Sequence, residues 1–135
     1  MAFLLDANIL SDMMRNARGL TAARVDAEPP WNLCTSVIVA SELRYGAIRR
    51  ESSRLAARLD ELLNSIAVLP FEPPADEIYG TIRAQLERAG TPIGNMDLLI
   101  AAQALAQGHV LVTDNEREFR RVEGLQVENW MRPGS

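Results

Sequence analysis

The chain has 135 residues, of which 47% are hydrophobic and 24% charged, a composition typical of globular proteins and a length typical of a single domain. Its formal net charge is −4, so it offers no overall basic surface for tight nucleic-acid binding. A single cysteine and a single histidine exclude an internal disulfide and argue against a zinc site, which needs several nitrogen or sulfur ligands.

All 14 basic residues are arginines. A Walker A phosphate-binding loop requires a lysine, so that class of nucleotide-binding protein is excluded. No apolar run approaches the roughly 20 residues of a membrane span, and the lone cysteine, Cys34, suits a reducing compartment. We therefore expect a cytoplasmic protein that does not associate with membranes.

Short apolar runs alternate with amphipathic segments along the chain. The first run predicts a strand at 3–5, which is followed by helices at 9–14, with Asn8 as the N-cap, and at 21–25. The next elements are a strand at 31–35, helices at 37–50 and 53–64, and a strand at 66–69. Helices at 75–89 and 95–107, a strand at 108–113, a helix at 116–121 and an edge strand at 125–128 complete the pattern.

Strands that alternate with helices form parallel sheets. The pattern therefore predicts one α/β domain over residues 1–131. Its central sheet should be mostly parallel and flanked by helices, in three α/β/α layers. The last residues, 132–135, are predicted to be a disordered tail.

The segment 95–107 is apolar on nearly all sides, which is typical of a core helix. Asp97 lies on its inward stripe, between Ile93 and Ile100 at helical spacing. A buried carboxylate needs a cation or a hydrogen-bond network to offset its desolvation. Alternatively, Asp97 only complements the helix dipole in the first turn. The segment alone does not decide between these interpretations.

Further polar side chains are predicted near the carboxyl ends of strands, where ligands bind in open parallel sheets. Asp6 ends the first strand, Asp114 and Asn115 follow the strand at 108–113, and Glu42 lies in the helix after the second strand. Carboxylates held together are stable only when they share protons or bind metal, and oxygen ligands select Mg²⁺ or Mn²⁺. Such a site favours phosphodiester hydrolysis by an activated water.

Each of these residues also has a purely structural interpretation. Asp6 could serve only as a turn or N-cap residue, and Glu42 could pair with an arginine later in its helix. The spacing of Asn115 and Glu118 is that of a capping box. The arginines between positions 44 and 58 are interpreted as solvated helix faces, with RNA binding as the alternative.

Four motifs in order carry a family resemblance: L-L-D-A-N-I-L with Asp6, S-E-L-R-Y-G with Glu42, P-I-G-N-M-D-L-L-I-A-A-Q-A-L with Asp97, and L-V-T-D-N-E-R-E-F. Over nearly the whole chain they resemble PIN-domain endoribonucleases and, more narrowly, the VapC toxins of bacterial toxin–antitoxin pairs. The resemblance implies a parallel sheet flanked by helices and RNA cleavage that depends on Mg²⁺ or Mn²⁺. It also implies inhibition by a VapB-type antitoxin and a homodimer.

The family's first three acids match Asp6, Glu42 and Asp97. Two positions depart from its pattern, since relatives usually carry asparagine where Met96 stands and many carry aspartate where Asn115 stands. The fourth acid is therefore open, and we rank Glu118 above Asp114, with Asn115 as a helper.

The hypothesis assigns roles to three groups of residues. The predicted catalytic residues are Asp6, Glu42, Asp97 and Glu118. The predicted metal ligands are Asp6, Glu42, Asp97, Asp114 and Asn115. The predicted substrate contacts are Asn8, Thr113 and Arg44. Two alternatives stay open: a non-catalytic PIN-like scaffold that binds RNA or a partner, and a magnesium-dependent phosphatase of another α/β class.

Overall fold

The computed structural model describes residues 2–133, which form a five-stranded sheet flanked by helices. The strands are β1 (Phe3–Leu5), β2 (Leu33–Ser36), β3 (Ala67–Leu69), β4 (Val110–Val112) and β5 (Val127–Glu128). The helices are α1 (Ala7–Arg15), α2 (Leu20–Asp26), α3 (Val37–Arg49), α4 (Ser53–Ser65), α5 (Ala75–Arg88), α6 (Asn95–Gln107) and α7 (Glu116–Phe119). The strand order is β3-β2-β1-β4-β5, and the four strand pairs are all parallel.

The three central strands are buried on both faces. Successive side chains of a strand point to opposite faces of the sheet, and every residue of β2 and β4 is buried, as are Leu4 and Leu5 of β1. The edge strands β3 and β5 are more exposed. Helices must therefore cover both faces, which confirms the predicted α/β fold with a parallel sheet between helical layers.

Helix α6 is the core helix that its apolar sequence predicts. Ile100, Ala101 and Ala104 are fully buried, and α5 packs along it. Gly108 ends the helix in the left-handed conformation with φ of 68°, which glycine adopts without steric cost. Within residues 2–133, no helix is both long enough and apolar enough to cross a membrane.

The second strand begins later than its sequence suggests. Residues Pro30–Asn32 form a 3₁₀ turn, and Trp31 is 81% exposed, so the predicted strand at 31–35 was wrong at its start. The fixed φ of proline suits the first position of a helical turn. The turn that starts at Pro30 includes residues 31 and 32, so strand pairing begins only at Leu33.

Gln103 joins three elements in the interior. Its side chain is fully buried on α6. Its Oε1 accepts a hydrogen bond from Ser36 Oγ at 2.5 Å, and its Nε2 donates to the carbonyl oxygens of Leu69 at 3.1 Å and Pro70 at 3.0 Å. Since Ser36 caps α3, this contact fixes α6 against the ends of β2 and β3.

Trp130, two residues after β5, is buried in the core. Of the segment predicted to be a disordered tail, Arg132 and Pro133 lie in a bend and turn, and 134–135 lie outside the described residues.

Candidate active site

Asp6 lies at the carboxyl end of β1 and is buried, with 6% of its surface exposed. Its Oδ1 accepts a hydrogen bond from the backbone N–H of Ala7 at 2.8 Å, and its Oδ2 accepts one from Thr113 Oγ1 at 2.7 Å. Burial raises the pKa of this carboxyl group, and the bonds from Thr113 and Ala7 oppose that rise. Asp6 is thus both the N-cap of α1 and an acid at the sheet edge.

Asn8 does not cap α1, contrary to the sequence-based prediction, because the helix already begins at Ala7. Its Oδ1 instead accepts a hydrogen bond from the backbone N–H of Asp114 at 3.1 Å. The Asp114 side chain accepts a bond from Asn129 Nδ2 at 3.0 Å. Asn8 and Asn129 therefore hold the loop after β4, and Asp114 is engaged with the segment that follows β5.

Glu118 reaches the start of α6. Its Oε1 accepts a hydrogen bond from the backbone N–H of Gly94 at 2.9 Å, and its Oε2 accepts one from Asn115 Nδ2 at 2.7 Å. The same Nδ2 donates to Asp97 Oδ2 at 3.4 Å. Glu118 therefore does not reach back to the Asn115 backbone N–H, which donates to Thr113 Oγ1 at 3.0 Å instead. The capping-box interpretation is wrong.

The raised pKa of Asp97 shows that several acidic side chains lie near one another. Burial raises the pKa of its carboxyl group to about 7, and the negative charges of Glu118, Asp6 and Glu42 add to that rise. Burial also raises the pKa of Glu42, again with help from the charge of Asp6. By contrast, the hydrogen bonds from Gly94 and Asn115 lower the pKa of Glu118. The sheet edge thus carries concentrated negative charge.

The arrangement fits a hard divalent cation by charge and by donor type. Among residues 2–133, no ion pair involves Asp6, Glu42, Asp97 or Glu118, although the charge of Arg121 helps to lower the pKa of Glu118. The alternative pairing of Glu42 with a nearby arginine is absent from the same set. Carboxylate and amide oxygens are the donors that Mg²⁺ and Mn²⁺ prefer. Among the described residues, no three acidic, histidine or cysteine side chains are placed as a complete ligand shell.

The predicted substrate contacts occupy different environments. Thr113 is fully buried and Asn8 is bonded to the loop after β4. Arg44 lies on the exposed side of α3, where its Nη1 donates to Asp60 Oδ1 of α4 at 2.8 Å. Met96, which precedes Asp97, is 40% exposed. Contacts of Asn8, Thr113 and Arg44 with RNA stay predictions.

Two residues that hold the site together are not among the predicted site residues. Gly94 supplies the N–H that fixes Glu118, and Asn129 holds Asp114. Asn129 lies 15 residues after Asp114, in the G-L-Q-V-E-N-W ending that belongs to the family resemblance but was given no role at the site. Both contacts depend on how distant segments meet, which no local pattern encodes.

Comparison with known proteins places this geometry in a family. Residues 3–125 match the family described as PIN domain. Ribonuclease VapC2 of Haemophilus influenzae is 35% identical over 130 residues, covering 96% of this chain and 98% of the relative. The tRNA(fMet)-specific endonuclease VapC of Shigella flexneri is 36% identical over 129 residues, covering 95% and 97%.

Solved structures agree with the sequence matches. The chain superimposes on VapBC2 from Rickettsia felis, solved with a DNA fragment from the promoter, with a TM-score of 0.87 and 31% identity over 96% of this chain and 99% of that one. It matches DNA-bound VapBC from Salmonella typhimurium with a TM-score of 0.87 and 35% identity over 96% and 98%. The chain therefore belongs to the PIN-domain family and, within it, to the VapC ribonucleases.

Proposed function

We propose that this protein is a metal-dependent endoribonuclease and the toxin of a VapBC-type toxin–antitoxin pair. The observation that carries the proposal is the cluster of Asp6, Glu42, Asp97 and Glu118 at the carboxyl edge of the sheet, where burial and then mutual repulsion raise the pKa of Asp97 to about 7. Carboxylates are kept together at this cost where they bind cations or move protons.

In this proposal, Asp6, Glu42 and Asp97 would hold Mg²⁺ or Mn²⁺, which would make water a better nucleophile and offset charge on the phosphate. Thr113 keeps the Asp6 carboxylate oriented through its hydroxyl group. Glu118, fixed by Gly94 and Asn115, keeps negative charge beside Asp97. Glu42 is only half-buried and is free to orient the attacking water.

The acid cluster also supports a cationic inhibitor. A guanidinium group binds carboxylates in a bidentate geometry, and the cluster has no such partner among the described residues. We propose that an arginine of a VapB-type antitoxin fills it. Relatives have been solved as VapBC assemblies, which supports such a partner. The homodimer implied by the family resemblance belongs to the same proposal.

Cleavage by the purified protein tests the enzymatic part. The first substrate to try is initiator tRNA, because a relative is named as a tRNA(fMet)-specific endonuclease. We expect cleavage with Mg²⁺ or Mn²⁺ and none after chelation or in Asp97→Asn. If the protein binds initiator tRNA and other RNAs but cuts none of them at any metal concentration, it is a non-catalytic scaffold instead.

Co-expression tests the partner and the dimer. The neighbouring small reading frame, expressed with this chain, should give a complex that survives size exclusion, and the chain alone should slow growth of its host. Light scattering of the free chain measures the oligomeric state. A chain that is harmless when expressed alone and retains no small partner is not a toxin of this type.

A further inference from the structure

A groove between α1, α3 and α4 opens next to the acid cluster. It has a volume of about 310 Å³, near the lower limit of about 300 Å³ for small-molecule sites. Ala7, which follows Asp6, and Glu42 are among its lining residues. The groove therefore shares Glu42 with the acid cluster.

The groove has an apolar floor and a basic rim. Leu43, Ala47 and Leu59 form the floor, and the last two are buried. The rim consists of the exposed arginines Arg15, Arg50 and Arg58. A neighbouring depression of about 330 Å³ adds Arg54 and shares Arg50 and Arg58.

None of the four rim arginines forms an ion pair with an acid within residues 2–133; Arg58 donates only to the carbonyl oxygen of Met14. Elsewhere, four arginines do pair with acids. The chain is acidic overall, at −4, so this unpaired group is a local reversal of charge. Within residues 2–133, no ion pair joins these arginines to the acid cluster.

We infer that this arginine-rimmed groove binds the single-stranded RNA next to the bond being cut, with the arginines on phosphates and the apolar floor against a base. The inference rests on the proposed nuclease function. Guanidinium groups bind phosphates in a bidentate geometry. Unpaired bases stack on arginine planes, and an unstacked base can also pack against apolar side chains. Charge complementarity selects RNA as the occupant.

A competing explanation is that the arginines only stabilise helix ends. Arg15 lies in the last turn of α1, and Arg50 caps α3, where a positive charge complements the helix dipole. On that explanation, removing the charges lowers stability and leaves RNA binding unchanged. The two explanations therefore predict different measurements.

The first experiment varies the charge of the rim. Binding of a short, fluorescein-labelled single-stranded RNA of mixed sequence is measured by anisotropy across a salt series, in an Asp97→Asn background so that the RNA stays intact. Arg50→Gln with Arg58→Gln should weaken binding and lower the salt slope by about 0.7 for each phosphate that is no longer neutralised. Arg88→Gln, on the exposed surface of α5, is the control and should change neither.

The second experiment fills the floor without changing charge. Gly46 lines the groove, and a Cβ atom there meets nothing within 4 Å; Gly80 in α5 has the same open surroundings but lies outside the groove. Both substitutions replace a helix-interior glycine and so favour the helix. Gly46→Leu should weaken RNA binding, and Gly80→Leu should not.

The outcomes separate this inference from the function on which it rests. Unchanged affinity and salt slope in the double arginine variant overturn the groove assignment, even if the wild-type chain cleaves RNA. Arginine-dependent binding supports it, even if no cleavage is found and the nuclease proposal fails. If Gly46→Leu disrupts only the complex with the co-expressed antitoxin and leaves RNA binding intact, the groove is a protein-docking site and the inference is wrong.

Discussion

Glu118 accepts a hydrogen bond from the backbone N–H of Gly94 at 2.9 Å. Gly94 is the N-cap position of α6 and offers no side-chain oxygen of its own, so an acid from α7 satisfies a donor at the start of α6. The second oxygen of Glu118 is held by Asn115. The bond thus places a charged carboxylate beside Asp97, which lies in the first turn of α6.

This geometry predicts how the two candidates for the fourth acid differ. Glu118→Gln should lower RNA cleavage by about 10–100-fold, the usual cost of losing a residue that orients a metal site. Asp114→Asn should cost less, because Asp114 is bonded to Asn129. Initial rates at one fixed, subsaturating Mn²⁺ concentration compare the two variants directly.

Thermal melting accompanies that comparison. If Glu118→Gln lowers only the melting temperature and cleavage stays at the wild-type rate, Glu118 acts as a cap for α6, worth about 0.5–2 kcal/mol. An Asp114→Asn variant that is the less active of the two reverses our ranking of the fourth acid.

Asp97→Asn should reduce cleavage to background and leave the fold intact. The amide keeps the shape of the side chain and removes the charge that a divalent cation needs. If Asp97 served only to complement the helix dipole, the variant would lose about 0.3–1 kcal/mol of stability and stay active. Circular dichroism checks the fold, and a cleavage assay with added Mn²⁺ checks activity; a folded, active variant contradicts the metal-ligand role.

The raised pKa of Asp97 predicts how stability depends on pH without metal. Its pKa rises from 3.8 to about 7 on folding, first through burial and then through the charges of Glu118, Asp6 and Glu42. A group with a raised folded-state pKa stabilises the fold when protonated, and that contribution is lost as pH rises towards the folded pKa. The metal-free protein should therefore lose stability between about pH 4 and about pH 7, and Asp97 should cause little further change above that range.

Melting temperatures in chelator, measured across that range, test this prediction with Asp97→Asn as the comparison. The variant cannot ionise at this position, so its melting temperature should fall less with rising pH. Parallel curves for the two proteins would mean that Asp97 does not carry the pH dependence. Added Mn²⁺ should flatten the wild-type curve, since a bound cation offsets the repulsion.

Local pattern was sufficient for most of the fold. Apolar runs located β1, β3 and β4, and helical periodicity located α3, α5 and α6 with errors of one or two residues at their ends. The parallel direction of the strands could be predicted because helices alternate with strands along the sequence. The error at 31–35 came from reading Trp31 as part of an apolar run, although Pro30 begins a turn there.

Within the site, the sequence predicted which elements carry the acids but not the hydrogen bonds between those elements. The end of β1 and the start of α6 follow from pattern, so Asp6 and Asp97 could be placed at one edge. The bonds of Asp6 to Thr113 and of Glu118 to Gly94 span 107 and 24 residues. Such contacts depend on tertiary packing, which is why the capping-box pattern of Asn115 and Glu118 misled a local interpretation.

Thr113→Val should lower both activity and stability, because one hydroxyl group serves two partners. Its Oγ1 donates to Asp6 Oδ2 at 2.7 Å and accepts from the backbone N–H of Asn115 at 3.0 Å, and Thr113 is fully buried. Valine matches its shape but leaves both partners unsatisfied, at a cost of about 1–3 kcal/mol for each. Without the hydroxyl, the pKa of Asp6 should rise further, since this bond opposes the effect of burial.

Two further substitutions make the Thr113 result specific. Thr113→Ser keeps the hydroxyl group and should retain most of the activity, whereas Thr113→Val should lose about 10–100-fold. Thr81→Val removes an exposed hydroxyl that bonds only to Glu77 O in α5 and should change stability by no more than about 0.5 kcal/mol. Cleavage rates at increasing Mn²⁺ show whether the lower activity reflects weaker metal binding, because excess metal then restores it. A folded Thr113→Val variant with wild-type rates at every Mn²⁺ concentration would show that the carboxylate of Asp6 needs no help from this hydroxyl.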